Sequence, residues 1–200
     1  MLYVDPSLYS TKNILRSPTP DPSTGELFSC GILGMEMSKL PFAVSRKELN
    51  EFSPSAMAYQ KRLHDTLEML ITIGHRHFLT SGAPGIEMWA AEMLLDLRDT
   101  HEGIALEIVI PYDDICSRWS YAYQNRFEIL LEEADILTGI AHEKCQGITL
   151  RRNHYLLSAS HTLLASYVPG KTYTEKVARH ASFCGKQVVR LPVLSKTLAA

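Results

Sequence analysis

The sequence has little of what marks a membrane, secreted or disulfide-stabilised protein. No apolar run is long enough to cross a bilayer, and the first residues, Met1 to Pro6, lack the basic and apolar regions of a signal peptide. The four cysteines among the 200 residues are far apart and form no Cys-x-x-Cys pair. We therefore expect reduced thiols in a cytoplasmic protein that has no membrane partner.

An excess of basic charge is also absent. Lysine and arginine number 20 against 22 aspartates and glutamates, which gives a formal net charge of −2. A domain that binds phosphate backbones usually carries a basic excess, so this balance disfavours nucleic acid as a partner. It does not exclude a small anionic ligand, because backbone N–H groups at a helix N terminus can bind phosphate without net positive charge.

Several catalytic and metal-binding motifs are missing. There is no Gly-x-Ser-x-Gly turn, and Gly170-Lys171-Thr172 resembles the end of a P-loop without its upstream glycine. The stretches His75 to His77 and His142 to Cys145 lack the spacing of zinc sites, and we expect these histidines at exposed strand ends. The sequence therefore predicts neither a metal nor a cofactor.

What is present is an alternation of short apolar strands with amphipathic helices, after an irregular, proline-rich extension over residues 1–25. This order implies βαβ crossovers and predicts an α/β fold, a Rossmann-like three-layer α/β/α sandwich with a mainly parallel sheet, over residues 26–195. Residues 196–200 form a short tail. The predicted strands are 27–33, 77–80, 106–110, 136–140, 162–167 and 187–191.

The predicted helices lie between these strands. The first has Ser53 as its N-cap and Pro54 as its first residue, and Gly74 ends it. Its apolar stripe is expected to consist of Met57, Leu63, Leu67, Leu70 and Ile71. The other helices are predicted over 86–97, 121–134, 151–157 and 173–184.

Ligands of parallel sheets bind beyond the carboxyl ends of the strands. The loops that follow Cys30, Thr80, Ile110, Ile140 and Tyr167 are therefore the candidate functional segments.

The loop after the second predicted strand carries the strongest signal. Ser81-Gly82-Ala83-Pro84-Gly85 runs directly into a helix that starts near Ile86. Glycines allow tight turning, and the helix N terminus favours an anion. A simple βα turn would need glycine as well, so both interpretations stay open. Glu87 is either a capping charge or an acceptor for ribose hydroxyls, and Trp89 is either core or pocket wall.

The stretch Thr80 to Glu92, Thr-Ser-Gly-Ala-Pro-Gly-Ile-Glu-Met-Trp-Ala-Ala-Glu, closely resembles the YpsA family, which carries a similar T-G-G-x-x-G-V-[DE]-x-W-A-A-E motif. The resemblance extends over about residues 27 to 193, through the strand ending at Pro111, the segment Trp119 to Arg126, and Ala134-Asp135. That family belongs to the Rossmann-like SLOG superfamily, together with the DNA-processing protein DprA and LOG-type phosphoribohydrolases. The resemblance implies a nucleotide-like ligand, no settled reaction, and a homodimer.

One departure from the family concerns its first strand, which usually ends in T-G-[HY]-[RK]. Here the corresponding residues are Ser29-Cys30-Gly31-Ile32-Leu33-Gly34, so Gly31 retains the glycine while Ile32 and Leu33 replace the polar pair. Any contact of that pair with a ligand is either lost or supplied by other residues, such as Lys39 or Arg46.

A second group of residues follows the fourth and fifth major strands. Arg151-Arg152-Asn153 opens a short predicted helix and is similar to an R-N pair of DprA-like proteins. The later stretch Pro169-Gly170-Lys171-Thr172 with Glu175 is similar to, but shorter than, the P-G-G-x-G-T-x-x-E loop of LOG-type enzymes. An arginine could clamp a phosphate, and Glu175 could assist glycosidic cleavage. Thr172 and Glu175 also fit a simple capping box.

Three functions remain open at this point. The first is binding or sensing of a nucleotide or nucleotide-derived small molecule. The alternative is a nucleoside 5′-monophosphate phosphoribohydrolase with Glu175 and Arg152 as catalytic residues, and the least favoured is single-stranded DNA binding of the DprA type. The predicted ligand-binding residues are Gly31, Ser81, Gly82, Ala83, Gly85, Ile86, Glu87, Trp89, Arg151, Arg152, Asn153, Gly170 and Thr172.

Overall fold

The computed structural model describes residues 28–170 and 172–193. The extension predicted over residues 1–25, the tail predicted over 196–200 and Lys171 lie outside the described residues.

Six strands form one sheet in which every neighbouring pair is parallel. Their order across the sheet is β6-β5-β4-β1-β7-β8. Parallel central strands are covered on both faces, which is why most of their residues are buried here. The strands are β1 (Phe28–Gly34), β4 (His75–Thr80), β5 (Ala105–Ile110), β6 (Ile136–Gly139), β7 (Thr162–Tyr167) and β8 (Gln187–Pro192).

Five helices cover the two faces of this sheet. The chain moves from β1 through β4 and β5 to β6 on one side, then returns to β7 and β8 on the other. Right-handed crossovers therefore place the first three helices on one face and the last two on the other. The predicted three-layer α/β/α sandwich is confirmed. The helices are α1 (Pro54–Thr72), α2 (Ile86–Arg98), α3 (Tyr121–Glu133), α4 (Ile148–Ser158) and α5 (Tyr173–Phe183).

The order of the strands reverses beside β1, because the chain leaves β1 in one direction and later enters β7 on its other side. Such a switch point leaves a crevice outside the carboxyl ends of the strands, where ligands of open α/β sheets bind. The topology therefore places the candidate site at one edge of the molecule.

The segment between β1 and α1 contains elements that the sequence analysis missed. A 3₁₀ turn covers Met37–Lys39, and a small antiparallel hairpin pairs β2 (Ala43–Ser45) with β3 (Glu48–Leu49). The side chains of Leu40, Phe42 and Leu49 are buried in the main core and anchor this segment. Strands of three and two residues are too short to give a recognisable alternation of apolar and polar residues.

Two further expectations about the helices need correction. The predicted stripe of α1 is right for the four leucine and isoleucine positions, but Met57 is 57 % exposed. The helix expected to open at Arg151 begins three residues earlier, at Ile148, after Gly147 with φ of +76°. Ser53 does cap α1, because its hydroxyl oxygen accepts a hydrogen bond from the backbone N–H of Ala56.

The histidines also differ from the expectation of exposed strand ends. His75 is buried, with Nδ1 donating to the carbonyl of Leu70 and Nε2 2.8 Å from the hydroxyl of Thr162. His77 is partly buried and lies 2.9 Å from the Glu107 carboxylate. Among His75, His77 and His142, only the side chain of His142 is strongly exposed.

Candidate functional site

A cavity of about 550 Å³ opens at the carboxyl edge of the sheet. Its size falls within the usual range for small-molecule sites, about 300–1,000 Å³. Segments that follow five different strands meet there, as the switch point of the topology requires. The lining segments are 33–39, 46–47, 83–87, 115–123, 149–153 and 172–174, each contributing some of its residues.

Glu87, in the first turn of α2, lies at the floor of this cavity. Its Oε1 accepts a hydrogen bond from the backbone N–H of Gly34 at 3.1 Å. Its Oε2 accepts from the backbone N–H of Ser81 at 3.3 Å and also from the Ser81 hydroxyl. Arg152 Nη1 lies 3.0 Å from the same Oε2. The donors that could have held a ligand anion beside α2 are thus occupied by a carboxylate of the chain itself.

The ion pair of Glu87 and Arg152 is buried, with side chains 7 % and 11 % exposed. Removing two charges from water is costly, and the cost is offset only when the pair also satisfies its remaining hydrogen bonds. Glu87 meets that condition through Gly34 and Ser81, whereas Nε of Arg152 has no hydrogen-bond partner among the described residues.

The glycines of the loop before α2 have a structural explanation. Gly82 and Gly85 have φ of +64° and +106°, which side chains rarely adopt. A Cβ at Gly82 would also lie 3.1 Å from the ring of Phe127. Ser81 and Ile86 are buried, so within the loop only Ala83 and Pro84 border the cavity. The interpretation as a tight βα turn therefore accounts for these glycines.

Trp89 belongs to the core and does not line the cavity. Its ring centroid lies 5.4 Å from that of Phe42 and 6.3 Å from that of Tyr59. Of the two interpretations left open for this residue, core packing is the one the structure supports.

The glycine at the end of the first strand is Gly34, not Gly31. Gly31 lies in the middle of β1, where a Cβ would come within 3.0 Å of Ser160 Oγ, away from the cavity. Gly34 is the last residue of β1, lines the cavity and would place a Cβ 2.9 Å from Ile86 Cβ. A weak signal was available in the sequence, because Gly34 lies closer than Gly31 to the polar residues Glu36, Ser38 and Lys39.

Helix α4 presents one face to the cavity. Thr149, Arg152 and Asn153 line it, at positions i, i+3 and i+4. Arg151 points away and is exposed, so only the second arginine of the pair reaches the site. Asn153 is 2 % exposed, and neither its amide nitrogen nor its amide oxygen has a partner among the described residues. A buried amide left without partners is costly, which makes Asn153 the clearest pointer to a ligand.

Glu175 lies outside the cavity and serves the N terminus of α5. Thr172 caps the helix by accepting from the backbone N–H of Glu175 at 3.2 Å. The Glu175 carboxylate accepts from Gly170 N at 2.9 Å and from Arg179 Nη2 at 2.6 Å. The hydrogen bond from Arg179 is the main reason that the pKa of Glu175 is lowered. Gly170 does not line the cavity either, whereas Thr172 does.

Basic side chains dominate the charge of the cavity lining. Five basic residues line it against two carboxylates, in a chain whose formal charge is −2. Lys39 is paired with Glu36 at 2.8 Å, and Arg152 with Glu87. The remaining three cations, Arg46, Lys47 and Arg118, form no salt bridge within residues 28–170 and 172–193. We call these three the rim cations; Arg46 and Lys47 form the tip of the β2–β3 hairpin, and Arg118 lies in the loop after β5.

Aromatic side chains form another part of the wall. Trp119 packs edge-on against Phe127, with ring centroids 5.0 Å apart. The hydroxyl of Tyr123 donates to Glu51 at 3.2 Å, and burial raises the pKa of this tyrosine to about 12, so it stays protonated. Tyr173 also lines the cavity. Flat apolar surface of this kind suits a heterocyclic ring.

A neighbouring cavity of about 520 Å³ lies over the loops after β5 and β6. It shares Ile115, Arg118 and Trp119 with the first, so Arg118 stands between the two. Among the described residues, the cluster with metal-compatible donors is His64, Asp65 and Glu68 on the outer side of α1.

The fold and this site define a Rossmann-like protein with a cavity of about 550 Å³ at the switch point of a parallel sheet. A family model, YpsA (YspA SLOG family), matches residues 46–182, and the chain belongs to that family.

Similar proteins include UPF0398 proteins of three bacteria. The one from Halalkalibacterium halodurans is 34 % identical over 110 residues, covering 54 % of this chain and 58 % of that protein. Those from Bacillus pumilus and Staphylococcus saprophyticus are 26 % and 29 % identical, over 118 and 125 residues. These alignments cover 58 % and 60 % of this chain and 63 % and 66 % of those proteins. The chain thus spans less than two thirds of each relative.

Among solved structures, the chain is similar to DNA processing protein A from Helicobacter pylori, described for its binding of single-stranded DNA. The TM-score is 0.53 at 15 % identity, covering 85 % of this chain and 68 % of that one. This likeness shows the fold alone. No helix within the described part of the chain has the length and apolarity to cross a membrane.

Proposed function

We propose that the chain binds, and thereby senses, a nucleotide or nucleotide-derived small molecule in the cavity of about 550 Å³. The observation that carries this proposal is Asn153, a buried amide with no hydrogen-bond partner in the part of the chain that the structure describes, which borders a cavity rich in basic side chains. An amide supplies one donor pair and one acceptor, which matches the edge of a base or the hydroxyls of a ribose. The aromatic wall and the excess of cations suit the other parts of a nucleotide.

The phosphoribohydrolase alternative has less support. Its predicted catalytic carboxylate, Glu175, is engaged by Gly170 and Arg179 and does not border the cavity. The carboxylate nearest to Arg152 is Glu87, whose two oxygens are already hydrogen-bonded. Neither of these two carboxylates is therefore free to act as a base in the present geometry.

Single-stranded DNA is the second candidate ligand, since the structural neighbour from Helicobacter pylori binds it. The sequence disfavoured nucleic acid on net charge, and the rim cations weaken that argument because they concentrate positive charge at one edge. A cytoplasmic location and a homodimer, the latter implied by the family resemblance, stay predictions.

The proposal is tested by native mass spectrometry of gently purified protein and by calorimetry against nucleosides, nucleoside monophosphates and dinucleotides. We expect one class of these to bind, with affinity abolished in Asn153→Ala while thermal stability is unchanged or increased, because an unpartnered amide is removed. A dT oligonucleotide is the comparison, with salt dependence measured. If no nucleoside or nucleotide binds the wild-type protein, the proposal is wrong, and salt-sensitive binding of the oligonucleotide alone would favour DNA.

A further inference from the structure

We propose that the ligand binds with its anionic group at the rim of the cavity, against Arg46, Lys47 and Arg118, and with its uncharged part at the floor beside Asn153. This inference rests on the proposed function and specifies the orientation of the ligand. It differs from the expectation drawn from the sequence, in which the loop Ser81 to Gly85 holds the phosphate.

The floor is unsuited to a phosphate because it already holds an anion. The carboxylate of Glu87 takes hydrogen bonds from Gly34, from Ser81 and from Arg152. A phosphate placed there would compete for the same donors and would lie against a buried negative charge. Like charges at such short distances repel strongly where water is excluded.

The polar groups that remain open at the floor are neutral or already compensated. Asn153 offers an amide N–H donor and a carbonyl acceptor, both without partners among the described residues. Thr149, one turn earlier on the same helix face, adds an exposed hydroxyl at the outer part of the cavity. Arg152 has an unpartnered Nε, but its charge is balanced by Glu87. These groups match hydroxyls or the edge of a base rather than a phosphate.

The rim has the opposite character. Arg46 and Lys47 are exposed at the hairpin tip, and Arg118 faces them from the loop after β5. Within the described residues these three cations form no salt bridge, so an incoming anion does not have to displace a partner. Charge-assisted hydrogen bonds from arginine to phosphate are the strong kind, and a rim position costs little desolvation before binding. The rim cations therefore fit a terminal phosphate.

The test compares each nucleoside with its 5′-monophosphate in calorimetry, beginning with adenosine and AMP and extending to the guanosine, cytidine and uridine pairs. We expect the wild-type protein to bind the monophosphate more tightly than the nucleoside. In the triple variant Arg46→Gln, Lys47→Gln, Arg118→Gln, affinity for the monophosphate should fall roughly tenfold to hundredfold, the range for lost hydrogen bonds to charged groups. Affinity for the nucleoside should stay within about twofold, because the floor is intact.

A matched control removes the same charge elsewhere. Lys61, Lys176 and Arg190 are exposed and do not line the cavity. Their triple glutamine variant should leave the difference between monophosphate and nucleoside unchanged, which separates local contacts from the effect of net charge. Far-UV circular dichroism and thermal melting check that both triple variants fold.

The outcomes are distinguishable. If the preference for the monophosphate survives in the rim variant, the anion does not bind at the rim and this inference is wrong, although nucleotide binding stands. If the rim and control variants lose the preference equally, the effect is one of net charge and the inference is also wrong. If the wild-type protein binds none of the nucleosides and monophosphates, the proposed function itself fails.

Discussion

Two buried carboxylates on neighbouring elements of this fold, Glu87 and Glu107, have similar burial and different surroundings. Glu87 borders the cavity and its charged partner is Arg152, which stays protonated at any ordinary pH. Glu107 is 2 % exposed on β5, is covered by α4 and accepts hydrogen bonds at 2.7 Å from the hydroxyls of Thr138 and Tyr155. Its ion-pair partner is His77, whose Nε2 lies 2.9 Å from the carboxylate and which is charged only when protonated.

Burial of an acidic side chain therefore does not by itself indicate a functional site. Both carboxylates are satisfied by several donors, as buried charges must be. What distinguishes Glu87 is its place beside an open cavity, which is also lined by Asn153, an amide that has no partner among the residues that the structure describes. We therefore expect changes at Glu107 to affect stability alone, and changes at Glu87 to affect stability and ligand preference together.

The largest effect is expected for Arg152→Met. It leaves the buried carboxylate of Glu87 without its charged partner, which typically costs about 3–5 kcal/mol of unfolding free energy. Urea denaturation measures this cost. The double variant Glu87→Gln, Arg152→Met removes both charges and should be more stable than Arg152→Met alone. Equal stability of the single and double variants would contradict the buried ion pair.

The second-largest effect is expected for the matched variants Glu87→Gln and Glu107→Gln. Each places an amide nitrogen among hydrogen-bond donors and should cost about 1–3 kcal/mol. Only Glu87→Gln should raise the affinity for AMP relative to adenosine, because it removes a negative charge from the lining of the cavity whose rim binds the phosphate. Calorimetry with both ligands measures the ratio. A change of the same size in Glu107→Gln would show that the two carboxylates do not differ in the way proposed.

A smaller effect is expected in the pH dependence of the unfolding free energy. Although burial opposes it, hydrogen bonds from His77, Thr138 and Tyr155 and the charge of His77 hold the pKa of Glu107 below its usual 4.5. Because the folded-state pKa is the lower one, this contribution to stability is complete above about pH 4.5 and is lost as the pH falls further. Below pH 4.5 the unfolding free energy of the wild-type protein should therefore fall more steeply than that of Glu107→Gln.

The buried histidine provides an internal control for that pH profile. Burial lowers the pKa of His75 below its usual 6.5, so the unfolded chain takes up this proton first as the pH falls. The wild-type protein and Glu107→Gln should therefore lose stability equally as the pH falls below about 6.5. The difference between them that is due to Glu107 should begin only at lower pH. Urea midpoints measured from pH 7 to pH 3 separate the two ranges. Parallel profiles below pH 4.5 would contradict the assignment to Glu107.

The smallest effect is expected at the pair of Glu175 and Arg179, which belongs to neither buried region. Arg179→Gln should change the melting temperature little and leave nucleotide binding unchanged within error, because the Arg179 side chain is 70 % exposed and ion pairs open to solvent contribute little. Chromatography of nucleoside monophosphates incubated with the protein is the companion measurement. Release of free base that Glu175→Gln abolishes would contradict the capping role and support the hydrolase alternative.

Much of this fold could be predicted from the sequence because the patterns that indicate strands and helices involve only residues close together along the chain. The boundaries of β7 were predicted without error, and those of the other five strands of the sheet to within two residues. Element boundaries follow from caps such as Ser53 and Thr172, which act over three residues. The hairpin at 43–49 was missed because it is too short for a pattern.

The site was predicted less well, for a different physical reason. Arg152 lies 65 residues after Glu87 along the chain, and no local pattern reveals that its guanidinium neutralises that carboxylate. The sequence therefore suggested that the loop before α2 is open to a ligand anion. In the structure the carboxylate of Glu87 accepts the hydrogen bonds of Ser81 in that loop. Of the residues predicted to bind the ligand, Asn153 and Thr172 line the cavity, while Trp89, Arg151 and Gly170 do not.

The β2–β3 hairpin has a consequence for the engineering of this protein. Its two-residue tip, Arg46 and Lys47, is exposed, while Phe42 and Leu49 on either side anchor the hairpin in the core. Replacing only the tip changes the charge presented to a ligand without disturbing a packed side chain. A small library of tip sequences on an unchanged scaffold would therefore be a direct way to select versions with altered ligand selectivity.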